Sequence, residues 1–156
     1  MAAADRALLT ELLGREPRAE YEVVVRGAAG TPVVIRNSPL FDDGTPMPTR
    51  YWLVDRDLVL RISRLEAAGG VRAAEREVDG DALRAAHRRY AHERDAELPA
   101  DHAGPRPAGG VAGTRTGVKC LHAHYAYLLA GGEDPVGNWV AERLTAEDAD
   151  EDECGA

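Results

Sequence analysis

The chain is poor in the residues that proteins use for cross-links and for serine or phosphate chemistry. Its only cysteines, Cys120 and Cys154, lie 34 residues apart, so no disulfide framework is suggested and reduced thiols are expected. Its only serines, Ser38 and Ser63, lie outside any Gly-x-Ser-x-Gly elbow, and neither common glycine-rich phosphate loop is present. Residues 1–20 lack a secretory-signal pattern, and no run approaches the roughly 20 apolar residues of a membrane-spanning helix. These absences predict a cytoplasmic protein without membrane insertion.

Large apolar side chains are also scarce. Leu, Ile, Val and Phe together make 31 of the 156 residues, and only one of the 31 falls within residues 99–114 and 145–156. The first of these segments is rich in Pro and Gly, and the second is acidic. We therefore predict one domain over residues 1–144 with a flexible insertion at 99–114, followed by a disordered acidic tail at 145–156.

The formal charge of −8 comes mostly from that tail. Its six acidic residues are Glu147, Asp148, Asp150, Glu151, Asp152 and Glu153. Without them the balance is 19 basic against 21 acidic residues, so the domain is nearly neutral. A basic ridge at Arg84, Arg88 and His92 could meet phosphate, but Glu93 and Asp95 interrupt it and no aromatic residues interleave with it. We expect a solvated helix face there and no nucleic-acid partner.

Hydrophobic periodicity predicts an α+β domain. Two β-branched runs separated by residues 27–30 form a hairpin pattern, and a third strand is needed because an isolated hairpin is marginally stable. The remaining chain favours helices and one proline-stiffened, ordered loop. The expected fold is a short three-stranded antiparallel sheet packed against four to six helices. Its strands are predicted at 21–26, 32–36 and 50–54, its loop at 37–49, and its helices at 4–13, 55–68, 71–79, 81–97 and 116–130, with a short last helix from 135.

Cys120, His122 and His124 carry the side-chain types that bind zinc. If a helix begins at Thr116, Cys120 and His122 point about 200° apart and cannot share one ion, whereas Cys120 and His124 can. On that assumption His122 faces the core, and Cys120 and His124 lie on the opposite, exposed flank. Two ligands are half a site, so we expect a hydrogen-bonded core histidine at His122, with no metal and no cofactor.

A cysteine enzyme is the competing interpretation. Cys120 could act as a nucleophile with His124 or His87 as its base, but nothing in the sequence marks an oxyanion donor. No catalytic residue is therefore assigned, and whether the protein is an enzyme stays open.

Six short stretches together resemble one family. They are residues 13–18 (LGREPR), 43–49 (DGTPMPT), 63–69 (SRLEAAG), 86–90 (AHRRY), 118–122 (VKCLH) and 134–137 (DPVG). In this order they are similar to the actinobacterial family called domain of unknown function 501, over roughly residues 13–140. Family members often carry cysteines in the first hairpin loop and a histidine where this chain has Tyr127, so two sets of possible ligands are missing here. The resemblance implies a small cytoplasmic protein, linked by gene neighbourhood to cell division or phosphate metabolism.

The resemblance also singles out polar residues that could share one ligand pocket. They are Asp43, Thr45, Thr49, Arg64, Glu66, His87, Tyr90, Lys119, Cys120 and His122. The loop at 43–49 is expected to lie beside the helix that carries Cys120 and His122. Alternatively Glu66, His87 and His122 form a buried polar network that holds helices in register. We expect a non-catalytic binding or accessory protein with a protein or small-molecule partner; the alternative is a small Cys/His-dependent enzyme or metal-binding protein.

Overall fold

A computed structural model describes residues 3–155 and confirms the α+β architecture. The described residues form three strands, six α-helices and one 3-10 turn. In chain order these are α1 (Ala3–Leu13), β1 (Tyr21–Arg26), β2 (Pro32–Asn37), β3 (Tyr51–Leu53), α2 (Arg56–Ala67), α3 (Gly70–Glu77), α4 (Gly80–Asp95), the 3-10 turn (Val111–Gly113), α5 (Leu121–Leu129) and α6 (Pro135–Cys154). Within this part of the chain, none of the helices has the length and apolar character needed to span a bilayer.

The sheet is antiparallel with the order β1-β2-β3. Because side chains alternate between the two faces of a strand, Val34 and Leu53 point to one side and Ile35 and Trp52 to the other. The first side joins the main core with helices α2 to α6, and the second packs against Leu9 of α1. The sheet is thus a central layer whose outer strand β3 meets α5, and this contact positions the candidate site.

Helix boundaries follow side-chain caps. Asp55 accepts a hydrogen bond from the Leu58 amide at the start of α2, and Asp134 accepts from the Val136 and Gly137 amides at the start of α6. Asp79 caps α4, because its carboxylate accepts hydrogen bonds from the Asp81 and Ala82 amides of the first turn.

Helix α5 differs from the sequence-based expectation in its start and in its buried face. It begins at Leu121 rather than near Thr116, with Cys120 as an extended N-cap at φ −151°. Its buried residues are Leu121, Ala123, His124, Ala126 and Tyr127. The prediction that His124 lies on an exposed flank is therefore wrong: its side chain is completely buried.

Two segments expected to lack structure follow defined paths. Val111, within the insertion, is fully buried, and Arg94 donates hydrogen bonds to the Pro107 and Gly109 carbonyls. In the acidic tail, α6 continues to Cys154, and Arg61 pairs with Glu147. Both segments are held by arginines of other helices, which compositional reasoning does not detect. Their flexibility in solution stays a prediction.

Candidate functional site

The last turns of α2 and the start of α5 bring three potential metal ligands together. Glu66, Cys120 and His122 each offer one ligand atom, and these atoms all lie within 4.8 Å of one another. All three residues are half-buried, so solvent reaches the cluster. In the described part of the chain this is the only group of three or more His, Cys, Asp or Glu residues with such geometry.

The backbone around Cys120 creates the cluster. Because Cys120 is extended, the angle of about 200° that separates positions i and i+2 on a helix does not apply, and its Sγ lies 3.8 Å from His122 Nδ1. Glu66 Oε1 accepts a hydrogen bond of 2.7 Å from the Leu121 amide, which fixes the carboxylate at the start of α5. The expectation that Cys120 and His122 both occupy helical positions about 200° apart is therefore wrong, and the geometric argument against a shared ion falls with it.

The ring of His122 is oriented by α2. Its Nε2 lies 3.0 Å from the Val59 carbonyl oxygen and 3.1 Å from Ser63 Oγ. A carbonyl can only accept, so Nε2 carries a proton and donates to Val59. In the neutral ring the lone pair is then on Nδ1, which faces both Cys120 Sγ and, at 3.2 Å, Glu66 Oε1.

The same arrangement attracts a second proton to the ring when no cation is present. Burial lowers the pKa of His122, but the contact with Cys120, the Val59 carbonyl and the Glu66 carboxylate outweigh it and raise the pKa to about 9. A positive charge at Nδ1, whether a proton or a metal ion, is therefore favoured by its surroundings.

Two of the three ligand separations are close to those of tetrahedral coordination. Zinc bond lengths to sulfur, nitrogen and oxygen give ligand-to-ligand distances of about 3.3 to 3.6 Å. The observed distances are 3.2 Å between His122 Nδ1 and Glu66 Oε1, and 3.8 Å between His122 Nδ1 and Cys120 Sγ. The third pair, Cys120 Sγ and a Glu66 carboxylate oxygen, lies within 4.8 Å, so these two groups would move closer together to complete three of four ligand positions. The donation from Nε2 to a backbone carbonyl is the support that metal-bound histidines commonly have.

A cleft of about 340 Å³ opens beside the cluster along the edge strand β3. Cys120 and His122 form one wall, and Tyr51, Trp52 and Leu53 of β3 form another. Arg15, just after α1, places its guanidinium 5.9 Å from the centre of the Trp52 ring. The cluster thus faces a cleft with an aromatic wall, large enough for a small molecule.

The predicted residues divide into those that reach this cleft and those that do not. Thr49 lines it, together with Cys120 and His122. Asp43 and Thr45 instead form a local turn, in which Asp43 Oδ1 accepts from the Thr45 amide and hydroxyl. The 43–49 loop therefore reaches the cleft only at its last residue.

His87 and Tyr90 are buried and fully used in packing. His87 Nδ1 accepts from the Val111 amide, and its Nε2 donates to the Gly117 carbonyl. The hydroxyl of Tyr90 accepts from the Arg50 amide, and burial raises the pKa of Tyr90 to about 12. The expected network of Glu66, His87 and His122 therefore contains only the Glu66–His122 pair.

The other two candidates, Arg64 and Lys119, are exposed. Near the core, His124 Nδ1 donates to Asp134 Oδ2 at 2.6 Å, and both side chains are completely buried. Sequence reasoning missed this pair, because the predicted helix start gave α5 the wrong rotation. It also missed Trp52 and Arg15, since only the tertiary fold places them beside Cys120.

Comparison with known proteins agrees with the resemblance noted in the sequence. The model of the family described as protein of unknown function (DUF501) matches residues 23–142. This chain belongs to the DUF501 family. No curated protein and no solved structure matches it. In this DUF501 protein the matched region includes all three cluster residues and all of β3, so the cluster and the β3 wall of its cleft are part of the family domain.

Proposed function

We propose that this DUF501 protein binds a divalent cation of the zinc type through Glu66, Cys120 and His122, with an open coordination position facing the cleft. A thiolate, an imidazole and a carboxylate are ligands that zinc accepts. Three protein ligands and one free position are typical of zinc sites that bind or activate a small molecule. This departs from the sequence-based expectation of a metal-free protein.

One observation carries the proposal: Nδ1 of His122 points at both Cys120 Sγ and Glu66 Oε1, so three kinds of zinc ligand face one another at a place that solvent reaches. The Cys120 sulfur and the Glu66 carboxylate favour a positive charge at Nδ1, which a proton supplies in the free protein and a cation would supply in the bound protein. The reduced thiol that such a site needs agrees with the cytoplasmic location expected from the cysteine content.

Thiol catalysis is less well supported by the same geometry. A nucleophilic cysteine needs a histidine nitrogen for itself, and here Glu66 shares Nδ1 of His122 with Cys120. The Glu66 carboxylate beside the sulfur also disfavours the negative charge that develops during acyl transfer.

The test is a zinc titration of the purified protein against a chromophoric chelator. The wild type is expected to bind one equivalent, and Cys120→Ser and His122→Gln are expected to weaken binding by at least about tenfold. The chain supplies matched controls: Cys154→Ser removes its other thiol, which is exposed, and His92→Gln removes an exposed imidazole.

Both controls are expected to bind zinc as the wild type does. Equal loss of zinc in Cys154→Ser and Cys120→Ser, or no stoichiometric binding by the wild type, would exclude the site. Circular dichroism of each variant distinguishes a lost ligand from a lost fold.

A second candidate is the non-catalytic accessory role, in which the cluster only joins α2 to α5. The hydrogen bonds from the Leu121 amide to Glu66 and from His122 to the Val59 carbonyl favour it. In that case the Cys120→Ser, His122→Gln double variant keeps partner binding and loses about 1 to 3 kcal/mol of stability. A link to cell division or phosphate metabolism rests on the family resemblance alone.

A further inference from the structure

A second cleft, of about 340 Å³, lies beside α4 and is separate from the cluster of Glu66, Cys120 and His122. Helix α4 forms one wall and the 107–115 segment forms the other. Arg84 and Arg88 enter it from α4, and Arg115 enters it from the opposite segment. All three arginines are exposed, whereas the chain as a whole carries a charge of −8.

A fourth arginine builds the cleft but is not free to bind. Arg94 is 1% exposed, and its guanidinium donates to the Gly109 and Pro107 carbonyls and to Asp95 Oδ1. Its charge is therefore balanced by Asp95, and its N–H groups hold the insertion against α4. The other acidic group that neutralises an arginine here is Asp81, which is exposed and pairs with Arg84.

Glycines bring the two walls together. A Cβ at Gly110 would lie 2.6 Å from His87 Cβ, so only glycine allows this approach of the segment to α4. Gly109 has a φ of +74°, and a Cβ there would lie 2.4 Å from the Gly113 carbonyl oxygen. These two glycines therefore let the segment lie close against α4. Arg115 lies at the end of the same segment.

Charge and shape define what this cleft can bind. Arg88 and Arg115 face a common space with Arg84, and like charges gathered in a cleft attract an anion. Guanidinium groups donate paired N–H bonds that match the oxygens of phosphate. The cleft has the volume of a small-molecule site, and its lining contains no Phe, Tyr or Trp side chain on which nucleic-acid bases could stack.

We propose that Arg84, Arg88 and Arg115 bind a phosphate dianion, either free or as the terminal group of a small metabolite. This site does not depend on the cation bound at Glu66, Cys120 and His122. The sequence points to Arg84 and Arg88 as a ridge that could meet phosphate; the fold adds Arg115 and the opposing wall.

The test is an NMR titration of ¹⁵N-labelled protein with inorganic phosphate against sodium chloride of equal ionic strength. Phosphate is expected to shift the amide signals of residues 84–95 and 107–115 with a Kd of about 1 mM or below. Glucose 6-phosphate is titrated in parallel. Tighter binding of the ester identifies a phosphorylated metabolite as the ligand, and equal binding identifies free phosphate.

The variant Arg88→Gln, Arg115→Gln is expected to weaken phosphate binding by at least about tenfold. Its matched control is Arg64→Gln, Arg72→Gln, which removes the same charge from exposed positions of α2 and α3 and is expected to bind as the wild type does. Equal weakening in both variants, or shifts that sodium chloride reproduces, would overturn the proposal. The NMR spectrum of each free variant reports its fold directly.

Discussion

The histidines near the core differ in the partner of each ring nitrogen, and these partners determine what each ring can do. His87 has both nitrogens bonded to backbone groups. His124 uses Nδ1 for the Asp134 carboxylate, and its buried Nε2 has no partner among the described residues. Of the three, only His122 directs a ring nitrogen toward other potential ligand atoms at a place that solvent reaches. Residue type alone does not distinguish these roles, because the difference lies in the neighbours.

We expect His87 to make the protein less stable at low pH. Burial lowers the pKa of His87 below its usual 6.5, despite the Gly117 carbonyl. Its neutral form therefore adds full stability above about pH 6.5, and this contribution is lost as the pH falls below that value, because the unfolded chain takes up the proton first. The free energy of unfolding in urea, measured at about pH 7.5 and about pH 5.5, should decrease more in the wild type than in His87→Gln.

The comparison with His87→Gln isolates this histidine. The variant keeps His122, whose raised pKa acts in the opposite direction over this range. Equal pH dependence in the two proteins would show that His87 titrates as an exposed histidine does.

The candidate site was only partly predictable at the residue scale. The sequence identifies Glu66, Cys120 and His122 as candidates, and the structure brings these three together. It cannot show that Cys120 precedes the helix, because apolar spacing predicts that a helix exists more reliably than where it begins. An error of about five residues in that start changed which side chains appeared able to meet.

The helix caps differ in how much each one contributes to the stability of the fold. Asp55 is half-buried and accepts from the Leu58 amide alone, whereas Asp134 is buried, accepts from two amides and also pairs with His124. Asp55→Ala is therefore expected to lower the free energy of unfolding by about 1 kcal/mol. Asp134→Ala is expected to lower it by about 3 kcal/mol, because it also leaves a buried imidazole N–H without an acceptor.

Urea unfolding of the two variants measures this difference. The Asp134→Ala, His124→Phe double variant tests its cause, since removing the imidazole N–H should recover part of the loss. Similar costs for Asp55→Ala and Asp134→Ala would contradict the role given to the buried pair.

Elements with strong local patterns were predictable. The hairpin at residues 21–37 and the strand at Tyr51–Leu53 appear where β-branched and aromatic runs predict them, because turn chemistry fixes the hairpin locally. The paths of residues 107–109 and of α6 near Leu144 depend instead on hydrogen bonds from Arg94 and Arg61, which are distant in sequence and which composition does not reveal.

Across the whole molecule, the two segments with few large apolar residues, 99–114 and 145–156, are each expected to have a rigid part and a mobile part. Arg94 holds residues 107–109, and Arg61 donates to the Leu144 carbonyl and pairs with Asp148. Backbone order parameters should be about 0.8 or above for residues 107–113 and should fall below about 0.6 toward the end of α6, after Asp148.

Arg61→Gln should move the loss of order in α6 toward Leu144 and leave residues 107–113 unchanged. Uniform order to Cys154, or uniform disorder from residue 99 to residue 114, would show that these arginines do not set the boundaries.

Anomalous diffraction at the zinc edge would show directly whether one cation lies between Glu66, Cys120 and His122. Crystals grown with one equivalent of zinc are predicted to show a single strong peak within about 2.0 to 2.3 Å of Cys120 Sγ, His122 Nδ1 and a Glu66 carboxylate oxygen. If the cluster shows no peak and zinc lies instead at the exposed His92 or along the acidic end of α6, then Glu66, Cys120 and His122 do not form a cation site.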